Sequence, residues 1–121
     1  MTGIDPTRAV IVTGSRNWAD RARVWEALTE AQPSIVVQGG ATGADFDAVQ
    51  WAKMHGVPYL TVPPRWREEG RSAGPLRNIR MLQMFPRAHV LAFPEGKSRG
   101  TRHCMREAAK RGMRVVDCGA G

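Results

Sequence analysis

The chain has 121 residues, room for one domain with a single core and no need of metal or disulfide staples. Hydrophobic residues at 42% and charged residues at 24% exclude wholesale disorder. No apolar run approaches the ~20 residues of a membrane span and the N-terminus carries no signal-peptide core, so a cytoplasmic globular protein that avoids the membrane is expected. The net charge of +7 is unevenly placed: five Lys/Arg against six Asp/Glu in residues 1–60, thirteen against five in residues 61–121. An anionic partner for the second half is one reading of that asymmetry, and a diffuse solvated basic surface is the other.

Residues 8–13 read as a buried first strand ending in the polar turn Gly14-Ser15-Arg16-Asn17-Trp18. Over residues 20–31, Val24, Trp25, Leu28 and Ala31 fall at helical spacing. Pro33 stops that helix, and Ser34 to Gln38 forms a second strand. A helix over residues 43–55 follows, with Val49, Ala52 and either Phe46 or Ala48 facing inward, and Gly56 caps it. Val57 to Val62 is a third strand. Residues 63–73, with Pro63, Pro64 and Trp66 among arginines, read as a loop. Pro75 then opens a third helix at its first position, with Leu76, Ile79 and Leu82 as the core stripe. Ala88 to Phe93 is the fourth strand. The last helix runs over about 100–111 with Met105, Ala108 and Ala109 inward; Met113 to Val116 is a short final strand and Gly119-Ala120-Gly121 a frayed tail.

Strands alternating with helices across short connections predict an α/β fold: an open, mainly parallel sheet of about five strands with helices on both faces, forming one domain over residues 1–121. Ligands bind such sheets at the carboxyl edge, and strands one, two and four each deliver a distinctive turn there.

Gly39-Gly40-Ala41-Thr42-Gly43-Ala44-Asp45 lacks the G-x-G-x-x-G spacing of the dinucleotide fingerprint and the Gly-Lys-Ser/Thr of a Walker A loop. Its glycines let a ligand approach bare backbone, and Thr42 adds a hydroxyl; equally, glycines serve a tight turn that has no ligand. Asp45, near the start of its helix, complements the dipole in either case. Pro94-Glu95-Gly96-Lys97-Ser98-Arg99-Gly100-Thr101 is more telling, because Gly100-Thr101 opens a helix while Lys97 and Arg99 supply positive charge: an anion cradle. Arg102, Arg106 and Lys110 behind it recur every four residues and read as the solvent face of that helix. Arg77 and Asn78 lie in the first turn of the third helix; Arg77 offers a bidentate phosphate clamp or is a surface arginine, and Trp66 is a lid over a flat ring or a plug for the core. Cys104, Cys118, His55, His89 and His103 fall in no metal-ligand or disulfide pattern, so no metal site is predicted.

Thr13-Gly14-Ser15-Arg16, Gln38 to Asp45, Ala73-Gly74-Pro75-Leu76-Arg77-Asn78-Ile79-Arg80-Met81 and Pro94 to Thr101 together resemble, in order, the YspA-like family of the SLOG superfamily, named for its Smf/DprA and LOG proteins. The resemblance implies a Rossmann-like domain that binds nucleotides or nucleotide-derived ligands. The LOG branch hydrolyses nucleoside 5′-monophosphates with Arg-Lys-x-x-Met and Pro-Gly-Gly-x-Gly-Thr-x-x-Glu segments. Arg77 and Met81 fit the first and Gly100 and Thr101 the second, but Asn78 replaces the lysine and Cys104 the glutamate.

The leading expectation is a nucleotide-binding module, acting as a sensor through a partner or oligomer. Its ligand-binding candidates are Gly14, Ser15, Arg16, Gly39, Gly40, Thr42, Gly43, Asp45, Arg77, Asn78, Gly96, Arg99, Gly100 and Thr101, with Trp18 or Trp66 over a base. No cofactor is required, although Mg²⁺ would suit a polyphosphate ligand. The second expectation is an N-glycosidic hydrolase, whose catalytic candidates are Arg77, Glu95 and Glu107. The third is single-stranded nucleic-acid binding through the basic second half and Trp66. SLOG relatives often dimerise, and exposed Trp or Met would serve a homodimer interface.

Overall fold

The computed structural model describes residues 3–119, so Ala120 and Gly121 of the expected tail lie outside the described residues. Five strands, β1 (Ala9–Gly14), β2 (Ile35–Gln38), β3 (Tyr59–Thr61), β4 (His89–Phe93) and β5 (Val115–Asp117), form one sheet in the order β3-β2-β1-β4-β5. Every neighbouring pair is parallel, with Ile11 opposite Val37 on one side of β1 and Val90 on the other. The helices are α1 (Arg21–Ala31), α2 (Ala44–His55), the one-turn α3 (Trp66–Glu69), α4 (Ala73–Met84) and α5 (Arg99–Lys110). This is the Rossmann-like α/β sheet read from the strand–helix alternation.

The period-two alternation of strand side chains splits the core into two layers. Val10 and Val12 of β1, Val36, Leu91 and Phe93 pack with Val24 and Leu28 of α1 and Ala48, Trp51 and Ala52 of α2. Ala9 and Ile11, Ile35, Val37 and Val90 pack on the other face with Met81 and Leu82 of α4 and Cys104 and Ala108 of α5. The chain therefore runs outward from β1 through β2 to β3, then crosses back along α4 to lay β4 against β1. The crevice at the carboxyl ends of β1 and β4 is the point where the winding reverses.

Several local expectations are corrected. The segment 63–73 is not all loop: α3 and a 3-10 turn over Gly70–Ser72 run directly into α4. Helix α4 begins at Ala73, so Pro75 is its third residue and Arg77 and Asn78 lie in its second turn. Proline is accommodated there because first-turn N–H groups have no intrahelical acceptor. The inward face of α4 is Ala73, Asn78, Met81 and Leu82, while Leu76 is exposed. Likewise α5 buries Thr101, Cys104 and Ala108 and leaves Ala109 outside, and α2 turns Ala48 and Trp51 inward and Phe46 outward.

Candidate functional site

A cleft of about 1140 Å³ opens at the β1/β4 crevice, slightly above the ~300–1,000 Å³ usual for small-molecule sites. The end of β1 supplies one wall through Gly14, Ser15 and Arg16, and the 95–101 turn and the first turns of α5 supply the opposite one. Ser15 N–H donates to Phe93 O (3.0 Å), which holds the two strand ends together. Gly96 (φ 63°) and Ser98 (φ 42°) adopt the left-handed region and turn the chain back into α5. Ser98, the N-cap, makes no side-chain cap hydrogen bond. The positive end of α5 thus faces the cleft beside the exposed Lys97, Arg99 and Arg16.

The 39–45 turn behaves differently. Gly39 and Ala41 N–H groups donate to Asp45 Oδ2 (3.1 and 3.2 Å), and Gly40 N–H donates to Gln38 Oε1 (2.6 Å). Thr42 Oγ1 donates to Arg16 O (3.1 Å). A Cβ on Gly43 (φ 75°) would strike the Ser15 carbonyl oxygen, so this glycine lets the turn press against the end of β1. The N–H groups of Gly39, Gly40 and Ala41 and the Thr42 hydroxyl are occupied by the chain itself, and Gly39, Gly40, Thr42 and Gly43 are not among the cleft-lining residues.

Asp45 does line the cleft. It is 5% exposed, and while Oδ2 accepts the two N–H groups, Oδ1 is buried with no partner. Burial pushes its carboxyl up to about 6, against the pull of the Ala41 N–H, the Arg77 guanidinium and the Gly39 N–H.

Arg77 also lines the cleft, yet its guanidinium is engaged: Nη1 donates to Gly39 O (2.9 Å) and Val62 O (3.4 Å), and Nε to Asn78 Oδ1 (3.0 Å). A Cβ on Gly39 would occupy the place of this guanidinium. Buried Asn78 donates from Nδ2 to Gly100 O (3.1 Å) and lies 3.3 Å from His103 Nδ1, fastening α4 to the start of α5. Cys104, fully buried beneath them, has its thiol pushed up to about 11 by burial.

Trp66 is 56% exposed on the cleft rim. Trp18 is buried, edge-on to Phe93 at 5.4 Å, and faces a separate hollow of about 370 Å³ that shares Glu95, Gly96 and Arg102 with the main cleft. Glu95 lines both hollows, whereas Glu107 is outside them and pairs with Lys110 (3.0 Å) and Arg111 (3.1 Å). Sequence reasoning missed Thr13, Ser98 and His103 on the cleft wall, and read Arg102 and Arg106 as merely solvent-facing. Both border the cleft, although Arg102 donates to Lys97 O (3.1 Å) and Gly96 O (3.0 Å) and so braces the turn. Among the described residues no cluster of His, Cys, Asp or Glu is able to hold a metal, and no helix is long and apolar enough to cross a membrane.

The profile of the YspA, cpYpsA-related SLOG family matches residues 8–68. The Gene 61 protein of Mycobacterium phage D29 is 44% identical over 122 residues, covering 93% of this chain and 97% of its own. Among solved structures, DNA processing protein A (DprA) of Streptococcus pneumoniae superposes with a TM-score of 0.74 at 18% identity. That superposition covers 92% of this chain and 50% of the other, so the chain spans about half the length of that protein.

Proposed function

We propose, for a chain that belongs to the YspA, cpYpsA-related SLOG family, that the β1/β4 cleft binds a nucleotide or nucleotide-derived ligand through its phosphate. The observation that carries this reading is the N-terminus of α5, without a side-chain cap, opening into the cleft between Lys97, Arg99 and Arg16. Free first-turn N–H groups, the helix dipole and three cations favour a phosphate there. The ligand is held by the 95–101 turn and the end of β1, while the 39–45 turn and Arg77 shape the wall behind it. Trp66 on the rim covers the base.

Incubation with AMP, ADP-ribose, NAD and cyclic ADP-ribose, following melting temperature and released base, tests the reading. A rise in melting temperature without base release is expected, and it should vanish in a Lys97→Ala/Arg99→Ala double variant. Because Lys97 and Arg99 are exposed, that variant should fold normally. No response to any of the four ligands would refute a nucleotide site, and release of base with turnover would make the cleft a hydrolase site instead.

Single-stranded nucleic acid is a second reading, favoured by exposed Trp66 sharing one cleft with Arg16, Arg99 and Arg106. A stacking aromatic beside a cationic groove binds single strands without sequence preference. Its affinity should fall steeply with salt, by a log–log slope of about −0.7 per phosphate contacted. Salt-independent binding would eliminate it.

A further inference from the structure

We infer that Asp45 is the cleft's receptor for a ligand hydroxyl, accepting a hydrogen bond at Oδ1 and so selecting ribose over deoxyribose. This rests on the nucleotide reading above and adds to it which part of the ligand meets the protein at the inner wall.

Asp45 is, with exposed Glu95, one of two acids in a cleft whose rim carries the cations Arg16, Lys97, Arg99 and Arg106. Its two oxygens are unequal. Oδ2 is saturated by the Gly39 and Ala41 N–H groups, which fix the carboxylate on the wall, whereas buried Oδ1 has no partner. A buried acceptor without a donor is costly, and a ligand that brings a donor recovers that cost. Oδ1 is closed off from bulk water, so a ligand group reaches it only by displacing the adjoining side chains. The group that meets it must donate. With the phosphate held by the rim cations, the ribose hydroxyls of a nucleotide are the donors nearest that anchor. The neighbouring Arg77 guanidinium disfavours a metal cation as the occupant.

The test measures dissociation constants of AMP, 2′-deoxy-AMP, 3′-deoxy-AMP, 2′,3′-dideoxy-AMP and ADP-ribose for the wild type, Asp45→Asn and Asp45→Ser. Both variants keep an oxygen for the turn's N–H groups, and circular dichroism verifies their fold. Wild type should bind AMP about 10- to 100-fold more tightly than the dideoxy analogue, the size of a charge-assisted hydrogen bond. One of the monodeoxy analogues should carry most of that loss. In the variants the ratio should shrink to a few-fold, while affinity for inorganic pyrophosphate does not weaken. Equal binding of AMP and dideoxy-AMP by wild type, or undiminished discrimination in both variants, overturns the role of Asp45 and leaves the phosphate reading intact. No saturable binding of AMP or ADP-ribose overturns the role of Asp45, and no binding of NAD or cyclic ADP-ribose either overturns the nucleotide reading with it.

Discussion

Asp45 gives the fold a titration that a single substitution isolates. An ordinary aspartate titrates at 3.8, and burial pushes this one up to about 6. Between those values the folded state keeps a proton that the unfolded chain has released. Asp45 therefore favours folding most at low pH, and that contribution is lost as the pH rises through about 6. At about 1.4 kcal/mol per pH unit, the full effect is about 3 kcal/mol, of which about 2.4 kcal/mol falls between pH 4 and pH 7. Other carboxylates are shifted too: Asp47 is also raised by burial, while Glu69 and Glu107 are lowered by their hydrogen bonds to Arg80 and to Lys110 and Arg111. The clean quantity is the difference in unfolding free energy between wild type and Asp45→Asn, since every other group is common to both. Asparagine cannot ionise, although its carbonyl oxygen still accepts the Gly39 and Ala41 N–H groups. Urea titrations followed by tryptophan fluorescence from pH 4 to 7.5 should show wild type losing about 2–3 kcal/mol relative to Asp45→Asn. Its offset at any one pH also contains the cost of burying an amide, so the slope decides. A difference that stays flat with pH would refute the buried, unpartnered carboxylate.

The remaining predictions concern the turns and the thiols. Gly43→Ala should cost more than about 3 kcal/mol, because its Cβ meets rigid backbone at Ser15 and Arg16 in a φ of 75°. Gly56→Ala, at φ 65° in open space, should cost only about 1–2 kcal/mol, so equal melting temperatures for the two variants would contradict the packing of the 39–45 turn on β1. Gly39→Ala and Arg77→Ala should be strongly non-additive in a double-variant cycle, since both dislodge the same guanidinium; additive losses would show that the contact does not matter. Cys104, held at about 11 and fully buried, should resist a thiol reagent at pH 8 until the chain is unfolded by urea, and rapid native labelling at Cys104 would refute that burial. Glu107→Gln should leave nucleotide binding unchanged, because its partners are Lys110 and Arg111 on the helix exterior.

Element types and sheet class follow from short-range patterns, and for that reason they were legible. Val10 and Val12 against Ala9 and Ile11 separate two core faces by alternation alone, and glycine turns after β1, β2 and β4 mark one edge of the sheet. Spacing failed where a polar residue took a core position. Asn78 is buried in α4 because Gly100 O accepts its amide and His103 lies beside it, partners that are 22 and 25 residues away, and Leu76 is left outside. The hydrophobic stripe of an isolated helix contains no such information.

The sequence alone determined that strands alternate with helices, that the sheet is parallel, and that glycine-rich turns collect at its carboxyl edge, since each depends on backbone freedom and side-chain periodicity within a few residues. Only the tertiary structure decided which turn keeps its donors. Gln38 and Asp45 fold back onto Gly39, Gly40 and Ala41, and Arg77 crosses to the Gly39 carbonyl, so those three N–H groups are spent within the turn. The start of α5 has no side-chain cap and opens into the cleft beside Arg16 from the turn after β1 and Lys97 of its own loop. A donor is available to a ligand only when no neighbouring acceptor reaches it first, and those neighbours are brought together by the packing of the whole sheet.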